Sequence, residues 1–189
     1  MIKKYIQNEK YSQIQKNFTS NLKQYINYYN IEKNFSEIII LCIGTNKIMG
    51  DMIGPMVGEN LKSKIITPKN KKLIVFGNMT QTLNLKNANN IINKVKNNYQ
   101  NPFVITIDTA LSKIYDSKKI YINQGNIQIG SALSKGINCD SHINIKGVVG
   151  KYKENVEENL NTLRNVKLRD IVYLSMLISN GIIETMKSI

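Results

Sequence analysis

Tryptophan is absent from this chain of 189 residues, histidine occurs once, cysteine twice and proline three times. Two cysteines, Cys42 and Cys139, with no C-x-x-C pair and no metal-type spacing give no basis for a disulfide scaffold or a structural zinc site, and both read as reduced packing residues. Long apolar runs are missing as well. The longest, Ile38 to Ile43 and Ile171 to Ile178, are far too short to span a bilayer, and no apolar stretch follows the basic start MIKKYIQNEK as a secretory signal requires. The chain is therefore expected in the cytosol, without a membrane partner. There is no G-x-x-x-x-G-K-[ST] loop, the glycines of residues 44 to 50 do not fit a dinucleotide fingerprint, and there is no G-x-S-x-G elbow. Cys42 falls inside an apolar run, where a thiolate is disfavoured.

Acidic residues are scarce: 13 Asp and Glu stand against 26 Lys and Arg, a formal net charge of +13. Such a surface attracts acidic partners, nucleic acid or anionic membranes. The lysines are scattered along the chain, however, and the accompanying surplus of Asn and Ile fits an AT-rich coding bias. Nucleic acid is thus only weakly supported as a partner.

What is present is a β-α-β-α-β order of a length suited to one domain. Residues 1–34 are polar with Ile14, Phe18, Leu22, Tyr25 and Ile26 at helical spacing, which predicts an N-terminal helical extension. Residues 35–189 form the α/β domain proper. Glu37 to Gly44 is a continuous β-branched run ending in glycine, as in a central parallel strand buried on both faces. Pro55 to Lys64 predicts a helix entered through proline, Lys72 to Phe76 a second strand, and Leu83 to Val95 a helix capped by Thr80 or Thr82. Phe103 to Ile107 is the third strand, with Asp108 at its end. Lys119–Asn123 and Asn126–Ile129 suggest a hairpin about Gly125, His142–Val149 a further strand, and 166–186 a long amphipathic helix. Periodicity does not separate core from dimer surface on that helix, so a homo-oligomer is compatible with it. The expected architecture is a three-layer α-β-α sandwich with a mostly parallel or mixed central sheet, of the phosphorylase/hydrolase-like kind.

In open α/β sheets, ligands bind beyond the carboxyl ends of the strands. That rule selects the loop Gly44 to Pro55, which delivers Asp51 near a helix start, and Asp108 at the end of strand three. Each aspartate alone is equally readable as a cap or turn residue. If strands one and three are neighbours, the two carboxyls face each other, one retains a proton, and the pair can act as acid and base toward a water or an amide.

Gly44-Thr45-Asn46, Gly50-Asp51 and Gly54-Pro55, followed by FVITIDTA at 103–110, resemble the signature of the spore protease family of spore-forming bacteria. That family is similar to the germination protease and, more distantly, to hydrogenase maturation endopeptidases. The resemblance runs from about Ile38 to the C-terminal helix. It implies a peptidase with Asp51 and Asp108 as catalytic residues, acting on protein or peptide substrates such as small acid-soluble spore proteins, in the forespore or mother-cell cytoplasm. Gly44, Asn46, Gly54, Pro55, Gly130 and Ser131 are the implied substrate-binding residues. Gln81 stands where many members carry His, and Ile129, Ala132 and Ser134 replace a proline and glycines of the family's Gly-rich loop. No cofactor is implied by the aspartate pair itself. The hydrogenase maturation enzymes suggest the alternative of a divalent metal held by Asp51, Asp108 and His142, although Met52 occupies what resembles the first ligand's place. A non-catalytic peptide-binding or spore-protein-binding protein is the remaining reading.

Overall fold

A computed structural model of the protein describes residues 2–29, 34–64, 71–113, 118–130 and 136–188, with side chains from residue 11 onward. The elements are α1 (Ile2–Tyr29), β1 (Glu37–Cys42), a 3-10 turn (Met49–Asp51), α2 (Ile53–Lys62), β2 (Lys72–Phe76), α3 (Ala88–Asn98), β3 (Phe103–Ser112), β4 (Lys119–Gln124), β5 (Ile127–Ile129), β6 (Ile137–Cys139), β7 (Ile143–Lys151), α4 (Val156–Arg164) and α5 (Leu168–Met186). Five strands form one sheet in the order β2-β1-β3-β7-β4. The pairs β1–β2, β1–β3 and β3–β7 are parallel, and β4 closes the edge antiparallel to β7. The result is a mostly parallel sheet flanked by helices, the architecture expected from the sequence.

The continuous apolar run of β1 is explained by its central position. Ile38, Ile40 and Cys42 face a core built with α1, α2 and α5, whereas Ile39, Leu41 and Ile43 face a second core with α3 and the β5–β6 ribbon. Each fully buried aliphatic chain there contributes about 1.5–3 kcal/mol from its removal from water. On the first face α1 lies along α5. Gly181 admits the Phe18 ring, since a β-carbon on Gly181 would stand 2.2 Å from Phe18 Cδ1, and Thr19 Oγ1 donates to Glu184 Oε2 at 3.0 Å. Among the described residues no helix is long and apolar enough to cross a membrane.

Four local features differ from the sequence reading. The helix expected from Leu83 begins at Ala88, capped by neither Thr80 nor Thr82. Leu83 is instead drawn into a parallel bridge with Ile43, and Asn84 and Asn87 build a turn in which Asn84 N–H donates to Asn87 Oδ1 at 2.9 Å. The expected hairpin at Gly125 does not form, because β4 pairs with β7 while β5 pairs with β6, and Gly125 (φ 92°) is where the chain passes between the two sheets. β3 runs on to Ser112 instead of stopping at Ile107, so Asp108 lies within the strand. Finally, α4 was not foreseen. Its Asn155 cap accepts from the N–H groups of Glu157 (2.8 Å) and Glu158 (3.3 Å), with acids in the first turn and Arg164 in the last, as the helix dipole favours.

Candidate active site

The site is assembled at the carboxyl end of β1. Gly44 has φ 141°, and a β-carbon there would stand 2.1 Å from the Asp51 carbonyl oxygen and 2.9 Å from Pro55 Cδ. The loop closes on itself through Thr45 N–H to the Asp51 carbonyl at 3.0 Å and Asp51 N–H to the Ile48 carbonyl at 2.9 Å. Gly54 brings the first turn of α2 against the strand end, where a β-carbon would meet the Ile43 carbonyl oxygen at 2.0 Å. Asp51 is thereby held just before α2. Asp108 belongs to β3, whose Phe103, Ile105 and Ile107 face the α2 side, so alternation sends the Asp108 side chain to the α3 side. The register Cys42↔Ile107 places Asp108 one residue beyond the end of β1.

Both carboxyls line a cleft of about 450 Å³, within the size range of ligand sites. Thr45, Lys47 and Ile48 form one rim, Asn84, Leu85 and Lys86 another, and Ile129 and Gly130 with Leu160 and Leu163 of α4 complete the walls. A larger groove of about 840 Å³ runs between α1 and β4, but none of the described residues lining it is acidic.

Burial raises the Asp51 carboxyl from the usual 3.8 to about 7, against the opposing pull of the Thr45 N–H. Burial, and then the charge of Asp51, raises Asp108 to about 8, while the Thr109 N–H and the Lys146 ammonium work in the other direction. The Thr109 N–H donates to Asp108 Oδ1 at 2.8 Å, and Lys146 is the register partner of Asp108 on β7. Burial, and for Asp108 the neighbouring charge, thus leave both carboxyls holding protons far more readily than a free aspartate, the condition under which one can serve as acid and the other as base toward an amide.

Of the residues the sequence points to, the structure brings Asp51, Asp108, Gly44 and Gly130 around one cleft. Gly54 and Pro55 are buried against the strand end and line no part of it, and exposed Asn46 donates to the Met79 carbonyl at 2.9 Å. Ser131, Ala132 and Ser134 lie outside the described residues, and Gln81 is exposed and does not line the cleft. The metal triad is not assembled. His142 sits beside Val104 while Asp108 is level with Lys146, four residues further along β7, or roughly 13 Å at strand spacing. Its Nδ1 accepts the Val104 N–H at 3.0 Å and its ring stacks on Phe103 at 4.8 Å. Among the described residues no group of three His, Cys, Asp or Glu side chains could hold a metal. Among the described residues the cleft thus offers a divalent ion two carboxyls and no imidazole.

Sequence reasoning missed Lys47, Lys86, Lys146, Leu160 and Leu163. A lysine between Ile145 and Gly147 in an otherwise apolar strand was a readable anomaly, and Asn155 followed by Glu157 and Glu158 was a readable helix start. Lys47 and Lys86 carried no local signal.

A mostly parallel α/β sheet with a carboxyl pair at the strand ends is thus the class that fold and cleft define. The chain belongs to the family described as "Protein of unknown function (DUF1256)", whose model matches residues 5–181. It is 26% identical over 147 residues to the uncharacterized protein YyaC of Bacillus subtilis (strain 168), covering 77% of this chain and 67% of that protein. Among solved structures it is similar to the [NiFe] hydrogenase maturation protease HycI from Thermococcus kodakarensis KOD1, with TM-score 0.41, 18% identity, and coverage of 79% of this chain and 96% of that one. It is also similar to the maturation protease HybD from Thermococcus kodakarensis, with TM-score 0.33, 14% identity, and coverage of 75% and 98%.

Proposed function

We propose that this protein is a peptidase that hydrolyses a peptide bond with the Asp51 and Asp108 pair, and that its substrates are proteins of the sporulating cell. The carrying observation is the placement of two carboxyls with proton affinities raised to about 7 and about 8 in one cleft beyond the end of β1. One carboxylate takes a proton from the attacking water and the other, still protonated, gives its proton to the leaving amine. Lys146 limits how far the affinity of Asp108 rises. No step is routed through a metal, because His142 is held at the far end of β7.

The sporulation link rests on the resemblance of the 44–55 and 103–110 segments to the spore protease family, and makes small acid-soluble spore proteins the first substrates to try. The test is incubation of such a protein with the wild type and with folded Asp51→Asn and Asp108→Asn variants, read by mass spectrometry. Discrete fragments that vanish in both variants support the reading. Fragments that persist in either one sink it, and stoichiometric binding without cutting turns it into a binding protein.

A further inference from the structure

β3 is longer than its neighbour at the cleft. Its pairing with β1 ends at Cys42↔Ile107, the last bond being Ile43 N–H to the Ile107 carbonyl at 2.7 Å. The β1 chain then turns aside, with Gly44 N–H donating to the Leu83 carbonyl at 2.8 Å, while β3 continues to Ser112. Backbone groups of successive strand residues point alternately to the two neighbouring strands. Ile107 addresses β1, so Thr109 and Leu111 do too, whereas Ser112 faces β7 and accepts from Tyr152 N–H at 2.7 Å. The Thr109 N–H is taken by Asp108 Oδ1. The Thr109 carbonyl and both backbone groups of Leu111 are left with no strand partner among the described residues, and both residues line the cleft.

We propose that the substrate enters as an extended, acidic polypeptide segment that pairs as a strand with Thr109 and Leu111 in the slot above the end of β1. An unpaired strand edge is a template for such addition. The inference rests on the peptidase reading of the same cleft and names its substrate class: an unfolded chain segment, as opposed to a small molecule or a folded surface. Three further observations favour this occupant. A strand in the slot continues the plane of the sheet and passes the Asp108 side chain in a cleft that Asp51 also lines. Its side chains alternate between two apolar walls, Leu85 and Ile129 on the α3 side, and Leu163 beside Gly50 on the α2 side. Lys47 and Lys86 are exposed at the rim and have no ion pair among the described residues, which complements acidic side chains near the mouth.

The probe is a synthetic peptide of alternating valine and glutamate, N-methylated at one backbone nitrogen at a time, titrated into the full-length Asp51→Asn/Asp108→Asn variant. Binding is read by fluorescence anisotropy, and the Leu111 amide by hydrogen exchange. Strand addition predicts that methylation weakens binding at every second residue, by about fivefold per lost bond, and that exchange of Leu111 slows. It also predicts weaker binding of a valine–lysine peptide. No binding, methylation effects without a period of two, or an unchanged Leu111 amide overturns the proposal. The wild type separates this proposal from the peptidase reading. Period-two binding without cleavage leaves strand addition standing and removes the peptidase, and cleavage indifferent to N-methylation does the reverse.

Discussion

Gly44 lies so close to Asp51 that a β-carbon on it would stand 2.1 Å from the Asp51 carbonyl oxygen. The backbone there also has φ 141°, which side-chain-bearing residues rarely adopt. The loop carrying one of the two carboxyls therefore depends on the absence of a single methyl group.

Gly44→Ala is expected to cost about 3 kcal/mol or more, from strain and displacement of the Asp51 loop together. Urea unfolding of the variant should show a lower midpoint at an unchanged slope, and any activity should fall further than the loss of folded protein explains. A variant as stable as the wild type would show that the loop tolerates what its geometry forbids.

The carboxyl pair makes a signed prediction about pH. Both affinities are raised in the folded state, to about 7 and about 8 from 3.8, so the folded protein binds more protons than the unfolded chain within that window. Stability should fall as pH rises from about 4 to about 8, be fully penalised above it, and carry no penalty below it. Asp51→Asn and Asp108→Asn should each stabilise the protein at pH 8, by about 1–3 kcal/mol, and flatten the slope. Destabilisation by both substitutions across the whole range would mean that the carboxylates are held charged by partners.

His142 works with the opposite sign. Burial lowers its affinity below the ordinary 6.5, and the Nδ1 that accepts the Val104 N–H does so only while it carries no proton. The folded state thus resists protonation, and stability present above pH 6.5 is lost as pH falls, by at most about 1.4 kcal/mol per pH unit. This slope is best read in the Asp51→Asn/Asp108→Asn background, where the pair no longer contributes. His142 is the sole histidine, so its imidazole resonances are assigned without ambiguity. They should titrate below 6.5, and His142→Gln should remove the slope.

Metal removal should leave cleavage unchanged, because His142 is committed to Val104 and Phe103 at the other end of β7. Activity lost to a chelator and restored by one divalent ion would require donors beyond those the described residues of the cleft assemble.

The strands β1, β2 and β3 and the helices α1 and α5 were legible because their signals are local. A continuous β-branched run, a proline that ends a helix and a 3.6-residue apolar period each act within a few residues. The start of α3 was not legible, since Leu83 would serve a helix face as well as it serves the bridge to Ile43, and only the position of β1 decides between them. The partner of β4 was not legible either, because an edge strand pairs with whichever strand the sheet order leaves beside it.

For the candidate site, the sequence by itself determined that Asp51 follows a glycine-bearing loop and that Asp108 directly follows an apolar run, since glycine's freedom and a run of β-branched residues are properties of the chain alone, whereas the continuation of β3 to Ser112 was not legible. Tertiary structure decided the rest. It put β3 beside β1, carried Lys146 next to Asp108, withdrew His142 to the far end of the sheet and brought Leu163 to the cleft. Proton affinities near neutrality likewise arise only on folding, because they come from burial and from a second charge more than fifty residues away in the chain.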